Sequence, residues 1–235
     1  MSWSDTMIEK RPFNQLGRFE NDWLNAHYHF SFSRYFDPQR MGWGKLRVWN
    51  DDTIRAGTGF PPHPHDNMEI ITYVRTGAIS HKDSLGNSGR TAAGDVQVMS
   101  AGSGIRHAEF NQEDEDTTLF QIWIETDQTG GEPYWETAEF PKDSGKFVTL
   151  ASGRKGDDAL PIRQDARILG ATLKAGESET YELGEGRYAY LVVARGSADV
   201  NGVTLGPRDG AAIREEDVIR IKAGEEAELV LVDTV

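Results

Sequence analysis

The chain has 235 residues, with 38 acidic and 25 basic side chains, a formal net charge of −13 and no cysteine. The absence of cysteine excludes disulfide frameworks, thiolate metal sites and cysteine nucleophiles, so any metal must be held by nitrogen and oxygen ligands. An acidic surface repels a nucleic-acid backbone, so we expect no direct binding to nucleic acid. No segment has the apolar length of a membrane span, so we expect no membrane binding and a cytoplasmic protein.

Short runs of alternating apolar and polar residues predict β-strands along the whole chain, and no long helical period interrupts them. An early run carries His27 and His29 beside aromatic residues. A half-buried strand explains this pattern, so neither histidine is assigned as a ligand. Asn201-Gly202 marks a two-residue hairpin. Other clear runs span residues 68–74, 95–99, 119–124, 188–194 and 227–232.

A first pair of candidate metal ligands is His63 and His65. In an extended strand, residues two positions apart point to the same side, so both imidazoles can face one interior. Glu69 follows them, and simple alternation gives its carboxylate the same inward parity. Spacing alone therefore leaves Glu69 open as an acidic ligand.

A second pair of candidate ligands is His107 and Glu109. The preceding Gly102-Ser103-Gly104 predicts a loop with unusual backbone angles. His81 lies between the two pairs, just before a polar turn, where we predict a turn-stabilising role. Imidazole nitrogens and a carboxylate oxygen suit divalent iron, nickel, copper, zinc or manganese, and such a ligand set leaves positions open for substrate and oxygen.

The second half of the chain contains no histidine. Residues 128–155 are rich in Gly, Pro, Thr and acidic residues, so we predict that they connect two halves. Residues 73–78 are similar in character to residues 193–197, which indicates a repeated β unit. The positions that correspond to the first histidine pair are Glu182 and Gly184, so the second copy has lost these ligands.

These features together resemble known motifs. The stretch from Gly57 to Glu69 resembles the first cupin motif, and that from Gly94 to Asn111 resembles a longer form of the second. A more specific resemblance is to the pirin family. The segments that carry it are Pro62-His63-Pro64-His65, Glu69-Ile70-Ile71-Thr72-Tyr73-Val74, His81-Lys82-Asp83-Ser84-Leu85-Gly86-Asn87, Gly94-Asp95-Val96-Gln97 and residues 99–109.

The resemblance implies an all-β chain of two cupin (jelly-roll) β-barrels, a bicupin. It implies a metal-binding cupin in residues 1–135 and a cupin without metal ligands in residues 136–235. It favours Glu109 over Glu69 as the acidic ligand. We expect one divalent transition metal, Fe(II) in the first place, with Zn, Cu, Ni, Mn and Co as alternatives. The implied ligands are His63, His65, His107 and Glu109.

The bacterial branch that the chain resembles includes quercetin 2,3-dioxygenases. The resemblance therefore implies a metal-dependent dioxygenase that cleaves a flavonol such as quercetin with molecular oxygen. With these ligands we expect Glu109 to be the catalytic base for the 3-hydroxyl proton, because coordinated imidazoles have no free basic nitrogen on the metal side. The alternative is a pirin-like metal-dependent regulatory or interaction protein without turnover, and a cupin isomerase is a third. The expected partners are a small flavonol-like aromatic and dioxygen, and the expected assembly is a monomer or weak dimer.

Overall fold

The chain forms strands throughout residues 7–235, the part that this computed structural model describes. Residues 1–6, the start of the predicted N-terminal domain, lie outside the described part. The helical segment in this part, Phe13–Gln15, is a 3-10 turn, and no helix among the described residues is long and apolar enough to cross a membrane. The strands of the first half are β1 (Met7–Arg11), β2 (Gly17–Glu20), β3 (Leu24–Tyr28), β4 (Leu46–Ile54), β5 (Gly59–His65), β6 (Met68–Thr76), β7 (Ala78–Asp83), β8 (Ser88–Ala92), β9 (Val96–Ser100), β10 (Ile105–Phe110), β11 (Thr117–Glu125) and β12 (Tyr134–Ala138). Those of the second half are β13 (Val148–Ser152), β14 (Leu160–Pro161), β15 (Ala166–Leu173), β16 (Ser178–Glu182), β17 (Tyr188–Arg195), β18 (Ala198–Val200), β19 (Val203–Leu205), β20 (Gly210–Arg214), β21 (Val218–Ala223) and β22 (Ala227–Thr234).

Strands β2 to β12 build the first barrel from two sheets. The seven-stranded sheet has the order β12-β9-β6-β11-β4-β3-β2, and the four-stranded sheet has the order β5-β10-β7-β8. Apolar side chains of both sheets meet inside the barrel, where Leu119 of β11 and Ile79 of β7 share a buried cluster. Both candidate ligand pairs lie on the four-stranded sheet, on β5 and β10.

The second barrel repeats this plan. Its sheets have the orders β1-β20-β17-β22-β15-β13-β14 and β16-β21-β18-β19. The predicted hairpin at Asn201-Gly202 is confirmed, because β18 pairs with β19 and both turn residues have positive φ angles, 46° and 88°. Buried apolar residues such as Leu183 and Ile219 fill the interior. Glu182, which corresponds to the first histidine, ends β16.

The seven-stranded sheets of the two barrels share one apolar core. Trp49 and Phe120 enter it from the first barrel, and Tyr190 and Val232 enter it from the second. The ring centroids of Trp49 and Tyr190 are 5.6 Å apart. The predicted all-β, two-cupin architecture is confirmed. The second barrel, which has no histidine, packs against the seven-stranded sheet of the first barrel, whereas the candidate ligands lie on its four-stranded sheet.

Two strands bear on the division of the chain between the barrels. Strand β12 crosses the predicted boundary between residues 135 and 136 and pairs with β9 of the first barrel. Strand β1 begins the described chain but pairs with β20 of the second barrel. The limits 1–135 and 136–235 stay a prediction.

Alternate residues of β11 show how the interior of the first barrel is layered, since they face the same side of the sheet. Leu119 lies in the apolar cluster. Gln121 is hydrogen-bonded to Glu109, and the Trp123 ring packs edge-on against His65 with centroids 5.0 Å apart. The interior therefore changes along one strand from an apolar layer to a polar layer and then to the histidines.

Candidate metal centre

Three of the predicted ligands, His63, His65 and His107, come together in the first barrel. Strands β5 and β10 pair antiparallel and place His107 directly opposite His63. The ring nitrogens available for metal binding all lie within 4.8 Å of one another. Ring centroids of His107 are 4.4 Å from those of His63 and 4.9 Å from those of His65. We call these three residues the histidine trio.

The hydrogen-bonding state of the trio fits a metal ion. The Nε2 atoms of His65 and His107 are buried and have no hydrogen-bond partner. The Nδ1 atom of His63 lies 2.8 Å from the carbonyl oxygen of Pro61, which can only accept, so this nitrogen donates and Nε2 keeps the lone pair. A buried polar atom without a partner is costly, and coordination to a cation removes that cost. The trio therefore offers imidazole lone pairs to a divalent metal.

The electrostatics of the trio keep the imidazoles of His65 and His107 neutral. Burial, followed by the neighbouring His107 and His63, lowers the pKa of His65 to about 4. Burial, followed by His63 and His81, lowers the pKa of His107 to about 3. Because a metal binds the neutral ring, both residues are ready to act as ligands at neutral pH.

In the metal-free protein, we expect the free energy of unfolding to decrease as the pH falls below about 6.5. Unfolding returns His65 and His107 to an ordinary pKa, so the unfolded chain binds protons that the folded chain excludes. The stabilisation that these two histidines give is complete above about pH 6.5. It is lost as the pH falls toward their pKa values in the folded protein, and each histidine changes the free energy of unfolding by up to about 1.4 kcal/mol per pH unit. Urea denaturation of chelator-treated protein, at neutral pH and at about pH 5, measures this slope.

The control for this prediction is a double variant, His65→Gln with His107→Gln, which should show a flatter pH dependence. Burial also lowers the pKa of His29, but this residue is present in both proteins and its effect cancels in the comparison. Equal slopes in the two proteins would contradict the assignment of the pH dependence to the trio.

Glu109 lies next to the trio on β10, beyond a shift in strand register after His107. Its buried carboxylate accepts hydrogen bonds from Gln97 Nε2 at 2.7 Å, Gln121 Nε2 at 2.8 Å and Thr72 Oγ1 at 3.3 Å. It is not among the described donor atoms that lie within 4.8 Å of one another. Its charge does act on the trio, because it opposes the effect of burial on the pKa of His65. Glu109 as a fourth ligand stays a prediction.

Glu69 lies on the opposite face of its sheet, so the inward parity expected for it is wrong. Asn67 has a left-handed φ of 46°, and the chain turns there between β5 and β6. On β6 the inward residue is Thr72, which donates to Glu109. Glu69 instead accepts a hydrogen bond from Ser100 Oγ at 2.8 Å. Alternation cannot be carried from one strand to the next across a turn.

His81 lies closer to the trio than the sequence indicates. It belongs to β7, its ring stacks on Trp135 at 4.7 Å and 8°, and its Nδ1 lies 3.5 Å from His107 Nδ1. Its Nε2 is 3.0 Å from Asp83 Oδ2, so it does contact the turn as predicted. The missing signal was the pairing of β7 with β10, which a single sequence does not provide.

The other two histidines lie outside the trio. His27 belongs to β3, as predicted, whereas His29 follows the end of that strand. His29 is fully buried, and its Nδ1 is 2.8 Å from the hydroxyl of Tyr190 in the second barrel. His27 packs against the ring of Phe13 at 4.3 Å. Both residues therefore serve packing at the contact between the barrels.

An open depression of about 380 Å³ lies beside His65 and is bordered by the loop before β10 and by Arg106. The loop depends on glycine as predicted, since Gly102 and Gly104 have φ angles of 49° and 133°. Small-molecule sites typically have volumes of about 300 to 1,000 Å³. Trp123 is partly exposed, and its ring lies nearly perpendicular to the His65 ring with centroids 5.0 Å apart.

Both halves of the chain match described protein families. A family model described as Pirin matches residues 9–124. A model described as the quercetinase C-terminal cupin domain matches residues 149–234. The two matches fall on the two barrels in turn.

Similar proteins cover almost the full length of the chain. A pirin-like protein of Caulobacter vibrioides is 65% identical and covers 97% of this chain and 99% of its own. The quercetin 2,3-dioxygenase of Escherichia coli K12 is 40% identical over 97% of this chain and 98% of its own. The crystal structure of the bacterial pirin YhhW of Escherichia coli in complex with nickel(II) superimposes with a TM-score of 0.92 at 38% identity, and the match covers 97% and 99% of the two chains.

Proposed function

Because the chain belongs to the pirin family, we propose that it is a metal-dependent dioxygenase that cleaves a flavonol such as quercetin with molecular oxygen. The observation that carries this proposal is the convergence of three imidazoles beside a buried carboxylate and an open depression. The ligands leave coordination positions free, and the depression can admit a flat aromatic molecule.

We propose Fe(II) as the resident metal, with His63, His65, His107 and Glu109 as its ligands. Nitrogen and oxygen donors suit iron and also Zn, Cu, Ni, Mn and Co. The nickel(II) complex of the Escherichia coli relative supports a divalent transition metal. When bound, the metal would supply Lewis acidity and a redox-active centre for the reaction with oxygen.

The residues of the chain would position the substrate and take its proton. Glu109 would accept the 3-hydroxyl proton of the flavonol, because it is a carboxylate next to the trio and the imidazoles use their lone pairs for the metal. The amides of Gln97 and Gln121 each donate to one of its two oxygens and hold the carboxylate in place. The partly exposed Trp123, beside His65, would contact the aromatic rings of the substrate.

Metal-loaded protein should consume quercetin only when oxygen is present. The measurement is quercetin loss with and without oxygen, for protein loaded with Fe(II) or with nickel(II) and analysed for metal content. A His107→Ala variant should lose both metal and activity, whereas His27→Gln, outside the trio, should keep both. Quercetin loss that does not require oxygen, or no quercetin loss with any metal, would contradict the proposed dioxygenase activity. Either result would favour a metal-dependent regulatory protein.

A regulatory pirin without turnover would use the same ligands. The open depression beside His65 favours the enzyme, since a catalytic site must admit substrate whereas a regulator needs only a surface that responds to the metal. A monomer or weak dimer is sufficient for the proposed activity, because both ligand pairs lie within one barrel of one chain.

A further inference from the structure

We propose that His81 and Asp83 are positioning residues that fix the ring of His107 through a hydrogen-bonded chain and transmit the charge of Asp83 toward the metal. The proposal deepens the proposed function and rests on it in taking His107 as a ligand. It assigns a role to two buried side chains that the proton transfer described for Glu109 does not use.

The geometry of the chain is set by strand pairing. Strands β7 and β10 are antiparallel neighbours, with His107 opposite Asp83 and Glu109 opposite His81. His107 Nδ1 lies 3.5 Å from His81 Nδ1, and His81 Nε2 lies 3.0 Å from Asp83 Oδ2. The side chains of His81 and Asp83 are fully buried. Solvent therefore does not compete for these hydrogen bonds.

The direction of each hydrogen bond follows from Asp83. Its carboxylate accepts from the backbone N–H groups of Leu85 at 2.9 Å and Asn87 at 3.0 Å, and from Asn87 Nδ2 at 2.9 Å. A carboxylate cannot donate, so the hydrogen on the His81 side must lie on Nε2. In a neutral imidazole the other nitrogen, Nδ1, then accepts.

His107 completes the chain. Because His81 Nδ1 accepts, His107 Nδ1 must carry the hydrogen and donate it, which leaves the lone pair of His107 on Nε2. This is the same atom that lies buried without a partner within the trio. The chain thus selects the tautomer of His107 that can bind a metal.

Ring packing holds the chain in one orientation. The His81 ring lies parallel to that of Trp135, at 4.7 Å and 8°. Trp135 Nε1 in turn donates to Gln97 Oε1 at 3.2 Å, and Gln97 donates to Glu109. One aromatic side chain therefore supports both His107 and the proposed base, and the His81 ring cannot turn without leaving this stack.

A carboxylate behind a ligand imidazole raises its basicity and its affinity for the metal. In an Asp83→Asn variant, the NH₂ group of the new amide would face the N–H of His81 Nε2, so two donors would meet. A change of the His81 tautomer would relieve this conflict, but it would put a hydrogen on His81 Nδ1, facing the hydrogen of His107 Nδ1. We expect Zn²⁺ affinity, measured by chelator competition on the full chain, to fall about 10- to 100-fold.

Two further variants separate positioning from folding. His81→Phe keeps an aromatic ring against Trp135 but removes both nitrogens, and should weaken Zn²⁺ binding by a similar factor. Asp199→Asn is the matched control, because Asp199 also accepts a backbone N–H, that of Gly202, in a hairpin of the barrel without histidines. It should leave Zn²⁺ affinity unchanged.

Nitrogen-15 NMR of the metal-free protein gives a second readout that a purely structural role would not change. The wild type should show His107 protonated on Nδ1, and Asp83→Asn should shift it toward Nε2. A weakened Zn²⁺ affinity together with this shift supports the proposal. Unchanged affinity in Asp83→Asn and His81→Phe, or an unchanged tautomer, would overturn it. Absence of quercetin turnover would refute the proposed function and leave this test intact.

Discussion

Replacement of Glu109 by glutamine should abolish quercetin turnover while the histidine trio still binds metal. The change keeps the size of the side chain but removes the negative charge and the proton acceptor. General bases contribute about 10² to 10⁴ in rate, so we expect kcat to fall by at least about 100-fold. Steady-state kinetics with parallel metal analysis of the same preparations would measure both effects.

The surroundings of Glu109 explain why an isosteric change has a large effect. Its Oε1 accepts from Gln97 and its Oε2 accepts from Gln121. A glutamine at this position would direct an NH₂ group at one of these amide donors, and that amide would have to reverse. The buried network is satisfied by a carboxylate, which offers acceptors on both sides.

Glu69→Gln is the matched control, because it makes the same change at the other glutamate whose spacing suits a ligand. Glu69 accepts from Ser100 Oγ on the opposite face of the sheet, and an amide oxygen can accept the same bond. We expect this variant to keep its metal and its activity. Full activity in Glu109→Gln would exclude Glu109 as the base, and loss of metal in Glu69→Gln would contradict the placement of Glu69.

The difference between the two glutamates also shows how far sequence reasoning reaches in this fold. Within one strand, alternation correctly brings His63 and His65 to one side, because the side-chain direction repeats every second residue. Glu69 belongs to the next strand, and Asn67, in a left-handed conformation at the turn, resets the alternation. A local rule ends where the strand ends.

Contacts between strands distant in sequence escape the same reasoning. The strands themselves are predicted by their alternating pattern, and the two-barrel architecture by family resemblance. The position of His81 beside His107 depends on the pairing of β7 with β10. The pairing of β1 with β20 joins the beginning of the described chain to its last quarter. Local composition predicts neither of these pairings.

The second barrel has an apolar interior, and its outer face packs against the first barrel. That face covers Trp49 and Phe120 with Tyr190 and Val232. Without it, large apolar side chains of the metal-ligand barrel would be exposed to water, at a cost of about 25 cal/mol per Å². The packing of the second barrel therefore stabilises the first barrel.

An ionic bridge lies at the edge of this shared core. Asp51 of β4 is fully buried, and its carboxylate binds Arg75 of the first barrel and Arg208 of the second. The Arg208 guanidinium lies 2.6 Å from Asp51 and 3.8 Å from the centroid of the Phe13 ring. The Arg75 guanidinium lies 4.8 Å from the centroid of the Phe120 ring. One carboxylate thus forms an ion pair with a cation from each barrel.

Asp51→Ala should lower the free energy of unfolding by about 3 to 5 kcal/mol, because removal of one partner leaves buried charge uncompensated. Urea denaturation, followed by tryptophan fluorescence, measures the change. The control is Glu226→Gln, which breaks the exposed pair of Glu226 with Arg195 and should cost less than about 1 kcal/mol. If Asp51→Ala costs no more than this control, the bridge does not hold the barrels together, and the apolar core alone must account for their association.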